Sequence, residues 1–291
     1  MADFELLTIK IEQMTIESTN DNTPTTPAIT YSECYAQVFL GDCLELYKNI
    51  EPKSIDLILT DLPYGTTACK WDTIIPFEPL WREYERLIKP NGAIVLFSAQ
   101  PFTTKLIGSN IELFKYNWVW VKDKGANFGV AKYRPINIVE DVCVFYSGVA
   151  NYYPQKYDAG YKKNKGGKNT QIKGVYGQNG FKWSYDDSTM QFPKSTLFFA
   201  TPKHNDEQNG SLHPTQKPVA LFEYLIKTYT NEGDLILDNC AGSGTTAIAC
   251  LNTNRQFIVM EKEQKYYDII LKRVADFNKN FEQQTLFGNE M

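Results

Sequence analysis

From Tyr31 onward, short apolar runs alternate with stretches whose apolar residues recur at helical spacing. AQVFL (36–40) and, more strongly, SIDLILT (54–60) predict strands. In FEPLWREYERLIK (77–89), Leu80, Tyr84, Leu87 and Ile88 share one helical face, and Pro90-Asn91-Gly92 stops the helix. AIVLFS (93–98) predicts a strand, PFTTKLIGSN (101–110) a short helix, and KYNWVWVK (115–122) and EDVCVFYS (140–147) two more strands. After a long interruption the alternation resumes. Pro218 to Thr230 predicts a helix with proline in its first turn, followed by the strand DLILD (234–238) and the glycine-entered helix SGTTAIACLN (243–252). RQFIVME (255–261) is then a strand and QKYYDIILKRVADF (264–277) an amphipathic helix. Near-continuous apolar strands separated by helices predict an α/β, Rossmann-like parallel sheet covered on both faces. Residues 1–17 carry a weak pattern, strand or helix. Residues 18–30 are polar with two prolines and read as a linker, so globular sequence is expected from Tyr31.

Composition adds a core and an asymmetry. The 291 residues are 43% hydrophobic and 14% aromatic, enough for one large domain or two small ones. Thirty basic and 34 acidic residues give a net charge of −4, which excludes a uniformly basic coat and wholesale disorder. Yet residues 151–203 hold nine lysines against three aspartates, about +6, leaving about −10 elsewhere. Lys162, Lys163, Lys165, Lys168, Lys173 and Lys182 are interleaved there with Tyr152, Tyr153, Tyr157, Tyr161, Tyr176, Phe181, Trp183 and Tyr185 and with glycines. A solvated face would explain the charge alone; the aromatic interleaving favours a surface for a phosphate backbone. Six cysteines without CxxC spacing, and only His204 and His213, predict free thiols of a reducing cytosol and no metal site. No basic leader precedes an apolar stretch, and no run approaches the ~18 apolar residues of a membrane span. A soluble, cytoplasmic protein with no membrane partner is expected.

Two segments carry candidate chemistry. In Leu237-Asp238-Asn239-Cys240-Ala241-Gly242-Ser243-Gly244-Thr245-Thr246, glycines between a strand and a helix let backbone approach a ligand, and Glu261 ends the next strand, where a carboxylate can take both ribose hydroxyls. A tight turn packed on the sheet is the alternative. An ordinary dinucleotide site is disfavoured because Ala247 replaces the third glycine. In Thr60-Asp61-Leu62-Pro63-Tyr64-Gly65, at a strand's carboxyl end, Asp61 and the next carbonyl offer two acceptors beside a flat ring. That trio suits a planar base with an exocyclic amino group; a plain β-turn fits the same letters.

Taken together, these segments resemble the S-adenosylmethionine-dependent DNA amino-methyltransferases of the permuted β group, the N-4/N-6 DNA methylases. Asp61-Leu62-Pro63-Tyr64 is similar to the family's D-P-P-Y, His213-Pro214-Thr215-Gln216-Lys217-Pro218 to the segment before its cofactor helix, and Ala241 through Thr246 to its glycine turn. Gly41-Asp42-Cys43-Leu44-Glu45 and Trp81 through Leu96 also fit. The resemblance spans Tyr31 to Phe277 except the middle block. Leu62 departs from the usual proline and Asn239-Cys240 from the usual Pro-Phe, which makes the pocket wall more polar.

The resemblance implies a circularly permuted methyltransferase sheet, mostly parallel with one antiparallel strand and an inserted target recognition region. The chain would divide into an extension (1–30), a catalytic half (31–150), a recognition region (151–204) and a cofactor half (205–291). Asp61, Leu62, Pro63 and Tyr64 would be catalytic. Asp42 would meet the cofactor's adenine and Glu261 its ribose. Lys217, Thr245 and Thr246 would hold its amino-acid end, with Asp238, Cys240, Ala241, Gly242 and Gly244 shaping the turn. The reaction implied is direct methyl transfer to adenine N6 in duplex DNA, because the tetrapeptide opens with aspartate, where serine goes more often with cytosine. No Pro-Cys stands in a catalytic context, so attack on cytosine C5 is disfavoured. Cytosine-N4 transfer, a protein-glutamine methyltransferase and an inactive DNA-binding module are the alternatives. A cognate restriction endonuclease and a homodimer are partners consistent with the resemblance.

Overall fold

The computed structural model describes residues 6–16, 29–67, 69, 72–126, 129, 131–161, 189–202 and 216–287. The chain forms two compact units, Met1–Tyr153 with Ser195–Met291, and Pro154–Lys194.

The larger unit is built on a nine-stranded sheet. In chain order its strands are β1 (Leu6–Ile16), β2 (Ile29–Leu40), β3 (Ile55–Asp61), β4 (Ile88–Ser98), β5 (Phe114–Ala126), β6 (Asn137–Phe145), β9 (Thr196–Phe198), β10 (Leu235–Asp238) and β11 (Gln256–Glu261). They lie in the order β1-β2-β11-β10-β3-β4-β6-β5-β9. From β2 through β4 every pairing is parallel, and β6 runs against both its neighbours β4 and β5, the antiparallel strand expected. The weakly patterned N-terminal segment is also a strand, with β1 antiparallel to β2 from the Leu6–Phe39 pair to the Ile16–Ile29 pair. β2 begins at Ile29, two residues inside the segment expected to be a linker, and residues 18–28 of that segment lie outside the described residues.

Helices cover both faces. Strand residues Val38, Leu57, Leu59, Val95 and Phe97 pack with α4 (Val219–Tyr229), α5 (Thr245–Asn252) and α6 (Gln264–Phe287). Their alternates Phe39, Ile58, Ile94 and Leu96 pack with α1 (Cys43–Leu46), α2 (Phe77–Leu87) and α3 (Phe102–Ser109). Because successive strand side chains point to opposite faces, β3 reads buried on both sides and its first six residues are all buried. Each such aliphatic side chain contributes on the order of 1.5–3 kcal/mol by leaving water.

Some boundaries differ from the pattern. Pro90-Asn91-Gly92 does not end α2, which stops at Leu87; it sits inside β4, where the register shifts between the Ile55–Ile88 and Leu57–Ala93 pairs. A Cβ on Gly92 would meet the Asp56 carbonyl at 2.7 Å, so the segment passes close to β3 only as glycine. Pro218 is the residue before the first turn of α4, and α6 continues ten residues past the predicted end. The smaller unit contains one antiparallel ladder, β7 (Tyr157–Asp158) with β8 (Met190–Gln191), and Lys156 lies over the Phe192 ring at 4.7 Å. Among the described residues no helix is long and apolar enough to cross a membrane.

Candidate active site

In the sheet, β10 leads through α5 to β11 on one side, and β3 leads through α2 to β4 on the other. The neighbours β10 and β3 therefore form the topological switch point, beyond whose carboxyl ends ligands bind in open α/β sheets. Four strand ends meet there: Gly41-Asp42 after β2, Asp61 at the end of β3, Asp238 at the end of β10 and Glu261 at the end of β11. An open cleft is lined by residues at or just after all four, including Asp42, Asp61, Leu62, Pro63, Gly242 and Glu261.

One end of the cleft is made by the glycine turn. Asp238 is 3% exposed; its Oδ1 accepts from the Thr60 hydroxyl at 2.7 Å and the Cys240 amide at 3.0 Å, and its Oδ2 from the Thr246 hydroxyl. Burial nevertheless pushes its carboxyl up to about 6. Glu261 accepts from the Gly242 amide at 2.8 Å and the Glu263 amide at 2.9 Å, and burial pushes it up to about 7. Gly41 (φ 147°) and Gly242 (φ 53°) line the cleft in backbone conformations that L side chains rarely adopt. Gly244 (φ 79°) has a different role: a Cβ there would meet Ile270 Cγ1 at 3.0 Å, so it seats α5 against α6. A bared backbone turn and a carboxylate on an adjacent strand end, both lining one cleft, fit the amide-accepting and ribose-bearing parts of S-adenosylmethionine. Asp42 meanwhile caps α1 through the Leu44 amide at 2.9 Å.

The other end is made by the tetrapeptide. Asp61 Oδ1 accepts from the Tyr64 hydroxyl at 2.7 Å and Oδ2 from Lys217 Nζ at 2.6 Å. Lys217 is 5% exposed, and its ammonium also lies 3.2 Å from Glu140 Oε2, while Lys122 Nζ donates to Glu140 Oε1 at 2.5 Å. Burial raises the Asp61 carboxyl, with Lys217 opposing and Glu140 adding to the rise. Burial works against a charged Lys217, but the Asp61 and Glu140 carboxylates overcome it and hold the ammonium above its usual range. Burial works the same way against Glu140, and there Lys217 and Lys122 win, holding it below the usual carboxylate range. The Tyr64 ring stacks on Phe102 with centroids 5.2 Å apart and planes 24° apart. Beyond it, Asp72 accepts from the Gly65, Thr66 and Thr67 amides at 2.8, 2.9 and 2.6 Å and fixes the loop.

The structure thus gathers Asp42, Asp61, Leu62, Pro63, Cys240, Gly242 and Glu261 around one cleft. Three residues expected to hold the cofactor's amino-acid end have side chains that bond to protein groups. The Lys217 ammonium is turned to Asp61 and Glu140. The Thr246 hydroxyl is spent on Asp238, and Thr245 Oγ1 donates to the Lys217 carbonyl at 3.4 Å. Asn239, one of the departures from the family pattern, is buried and accepts from the Tyr84 hydroxyl at 2.6 Å through Oδ1. Lys162, Lys163, Lys165, Lys168, Lys173 and Lys182, and the His213-Pro214-Thr215 part of the motif, lie outside the described residues. Sequence reasoning missed Thr60, Asp72, Lys122 and Glu140. Glu140 left one trace, an acid at the head of an apolar strand.

A permuted, doubly covered sheet with this cleft at its switch point defines the Rossmann-like methyltransferase class. The family model described as DNA methylase, of N6/N4 type, matches residues 55–272, and the chain belongs to that family. The type II methyltransferase M.HpaI of Haemophilus parainfluenzae is 26% identical over 264 residues, covering 83% of this chain and 75% of the relative. M1.MboII of Moraxella bovis, also a type II methyltransferase, is 28% identical over 244 residues, covering 77% and 91%. Among solved structures, the M1.HpyAVI–SAM complex has a TM-score of 0.54 at 24% identity, covering 81% of this chain and 98% of that one. The cytosine-N4-specific PvuII DNA methyltransferase has a TM-score of 0.60 at 16% identity, covering 84% and 91%. These two share the fold. The protein is an S-adenosylmethionine-dependent DNA methyltransferase.

Proposed function

We propose that the protein methylates N6 of an adenine flipped out of duplex DNA. The observation that carries this reading is that Asp61, Leu62 and Pro63 line the same cleft as Gly242 and Glu261, so an amino group gripped at one end faces a cofactor held at the other. S-adenosylmethionine supplies an electrophilic methyl group on a sulfonium. Each carboxylate oxygen of Asp61 has a second lone-pair direction, so Asp61 can accept an amino hydrogen while keeping its bonds to Tyr64 and Lys217. The Leu62 carbonyl takes the other hydrogen. With both hydrogens held, the nitrogen's lone pair leaves conjugation with the ring and can be aimed in line with the departing sulfur. Tyr64 is tethered at its hydroxyl and backed by Phe102, which makes it a fixed stacking platform for the base, on the order of 1–3 kcal/mol. That offsets part of the few kcal/mol that unstacking the base costs. Asp42 and Glu261 hold the cofactor's adenine and ribose, and Asp238 orients the turn amides. The block 151–204, with Lys162, Lys163, Lys165, Lys168, Lys173 and Lys182, contacts phosphates and chooses the sequence. The type II relatives support pairing with a cognate endonuclease.

Adenine is favoured over cytosine because the tetrapeptide begins with Asp61; the fold alone is shared with a cytosine-N4 enzyme. DNA methylated by the purified protein with methyl-labelled cofactor, digested to nucleosides and weighed, should contain N6-methyl-2′-deoxyadenosine. N4-methyl-2′-deoxycytidine as the sole product would replace the base choice, and label entering protein but never DNA would overturn the reading.

A further inference from the structure

Four charged side chains run in alternating sign from the catalytic carboxylate into the sheet: Asp61, Lys217, Glu140 and Lys122, with contacts of 2.6, 3.2 and 2.5 Å. They come from four segments distant in sequence: the end of β3, the residue before Pro218, β6 and β5. Glu140 pairs across the ladder with Trp120, and Lys122, two residues on, lies over the Trp120 ring at 5.3 Å. The Lys217 ammonium is boxed by the Tyr64 and Phe97 rings, with its nitrogen 5.8 and 5.5 Å from their centroids. A buried ion pair is a poor way to gain stability, because desolvation offsets most of the attraction. An alternating chain that ends on the acid gripping the substrate has another use.

We propose that Glu140 is a positioning residue for methyl transfer: it holds the Lys217 ammonium on one oxygen of Asp61 and cancels that ammonium's charge at the reacting amine. The inference rests on the reading of Asp61 as the amino-group acceptor. Without Lys217, a carboxylate this deep would tend to carry a proton and lose half its accepting capacity. With Lys217 alone, Asp61 would be neutralised and a positive charge would face a nitrogen that itself becomes positive as the methyl bond forms. Glu140 resolves the conflict; Lys217 keeps it ionised, and Lys122 offsets the remaining negative charge. The groups facing Asp61 are Lys217, Glu140 and Tyr64, with Asp238 at the end of the neighbouring strand and Cys240 just after it.

The test is the pH profile of kcat, with KM for S-adenosylmethionine and duplex DNA, in the full chain. Glu140→Gln removes an anion near Asp61, which lowers the Asp61 pKa, so the acid limb should move to lower pH. The plateau kcat should fall roughly 10–100-fold, the scale of one charge removed about 6–12 Å away at an effective dielectric near 20. Both KM values should stay within about twofold, since no binding group is lost. Lys122→Gln leaves Glu140 ionised against Lys217 alone, so the site gains net negative charge and the acid limb should move the opposite way, to higher pH. It also serves if Glu140→Gln fails to fold. Shifts of the same sign in both variants, an unchanged kcat, or a loss confined to KM for S-adenosylmethionine would overturn the proposal. Asp61→Ala separates the two claims: if it remains active, the reading of Asp61 itself fails. If it is dead while Glu140→Gln and Lys122→Gln match wild type, only the positioning role fails.

Discussion

The two ends of the cleft solve the same problem, a carboxylate out of water, by different means. At the glycine turn, Asp238 and Glu261 are satisfied by uncharged groups: the Cys240 amide and the Thr246 and Thr60 hydroxyls for one, the Glu263 and Gly242 amides for the other. At the tetrapeptide, Asp61 keeps one local partner, Tyr64, and otherwise depends on Lys217, 156 residues away, which depends on Glu140 and Lys122. A pocket wall made of backbone dipoles is rigid and carries no net charge. A wall made of side-chain ions can be tuned, because each member shifts the protonation of the next. The first suits holding a cofactor, the second a reacting amine.

The comparison breaks most sharply at Asp61. Asp61→Ala should lower kcat by about 10²–10⁴-fold, with S-adenosylmethionine affinity unchanged by calorimetry. An equal loss of cofactor affinity would mean that the two ends are not separate devices. Gly244→Ala should come next. With φ at 79° and a contact at 3.0 Å to Ile270, it should cost about 1–3 kcal/mol of stability in a denaturant titration, while kcat of the folded fraction stays near normal. Glu261 sharpens the contrast through pH. Its carboxyl is pushed up to about 7, and ribose hydroxyls favour the ionised form. Cofactor affinity should therefore rise with pH through about 7 and level off above it, and Glu261→Gln should flatten that dependence. The smallest effect is expected at Asp72, where Asp72→Asn weakens the hold on the Gly65–Thr67 amides. It should raise KM for DNA a few-fold, by roughly 0.5–1.5 kcal/mol for weakened hydrogen bonds, without touching cofactor binding in the same calorimetric assay.

The strands and helices of the larger unit were legible because each is a local pattern: β3 and β11 as buried apolar runs, α2 and α6 by helical spacing. The exceptions have local causes too. The hairpin partner β1 carried no clean period, and Pro90-Asn91-Gly92 looks like a stop signal but serves a strand that crowds its neighbour. In the site, Asp61 and Glu261 could be picked out because each ends a strand that the sequence announces. Lys217 could be picked out as a residue but not aimed, since its direction depends on an anion in another strand.

Sequence by itself determined the alternation, the permuted order of the two motifs and hence the family, because spacing and residue type are properties of the chain. Only the tertiary structure decided that Glu140 and Lys122 stand behind Asp61, and that Gly244 seats α5 against α6. Those facts depend on which strands become neighbours and on charges that attract across a few ångströms of low-dielectric interior, however far apart they lie along the chain.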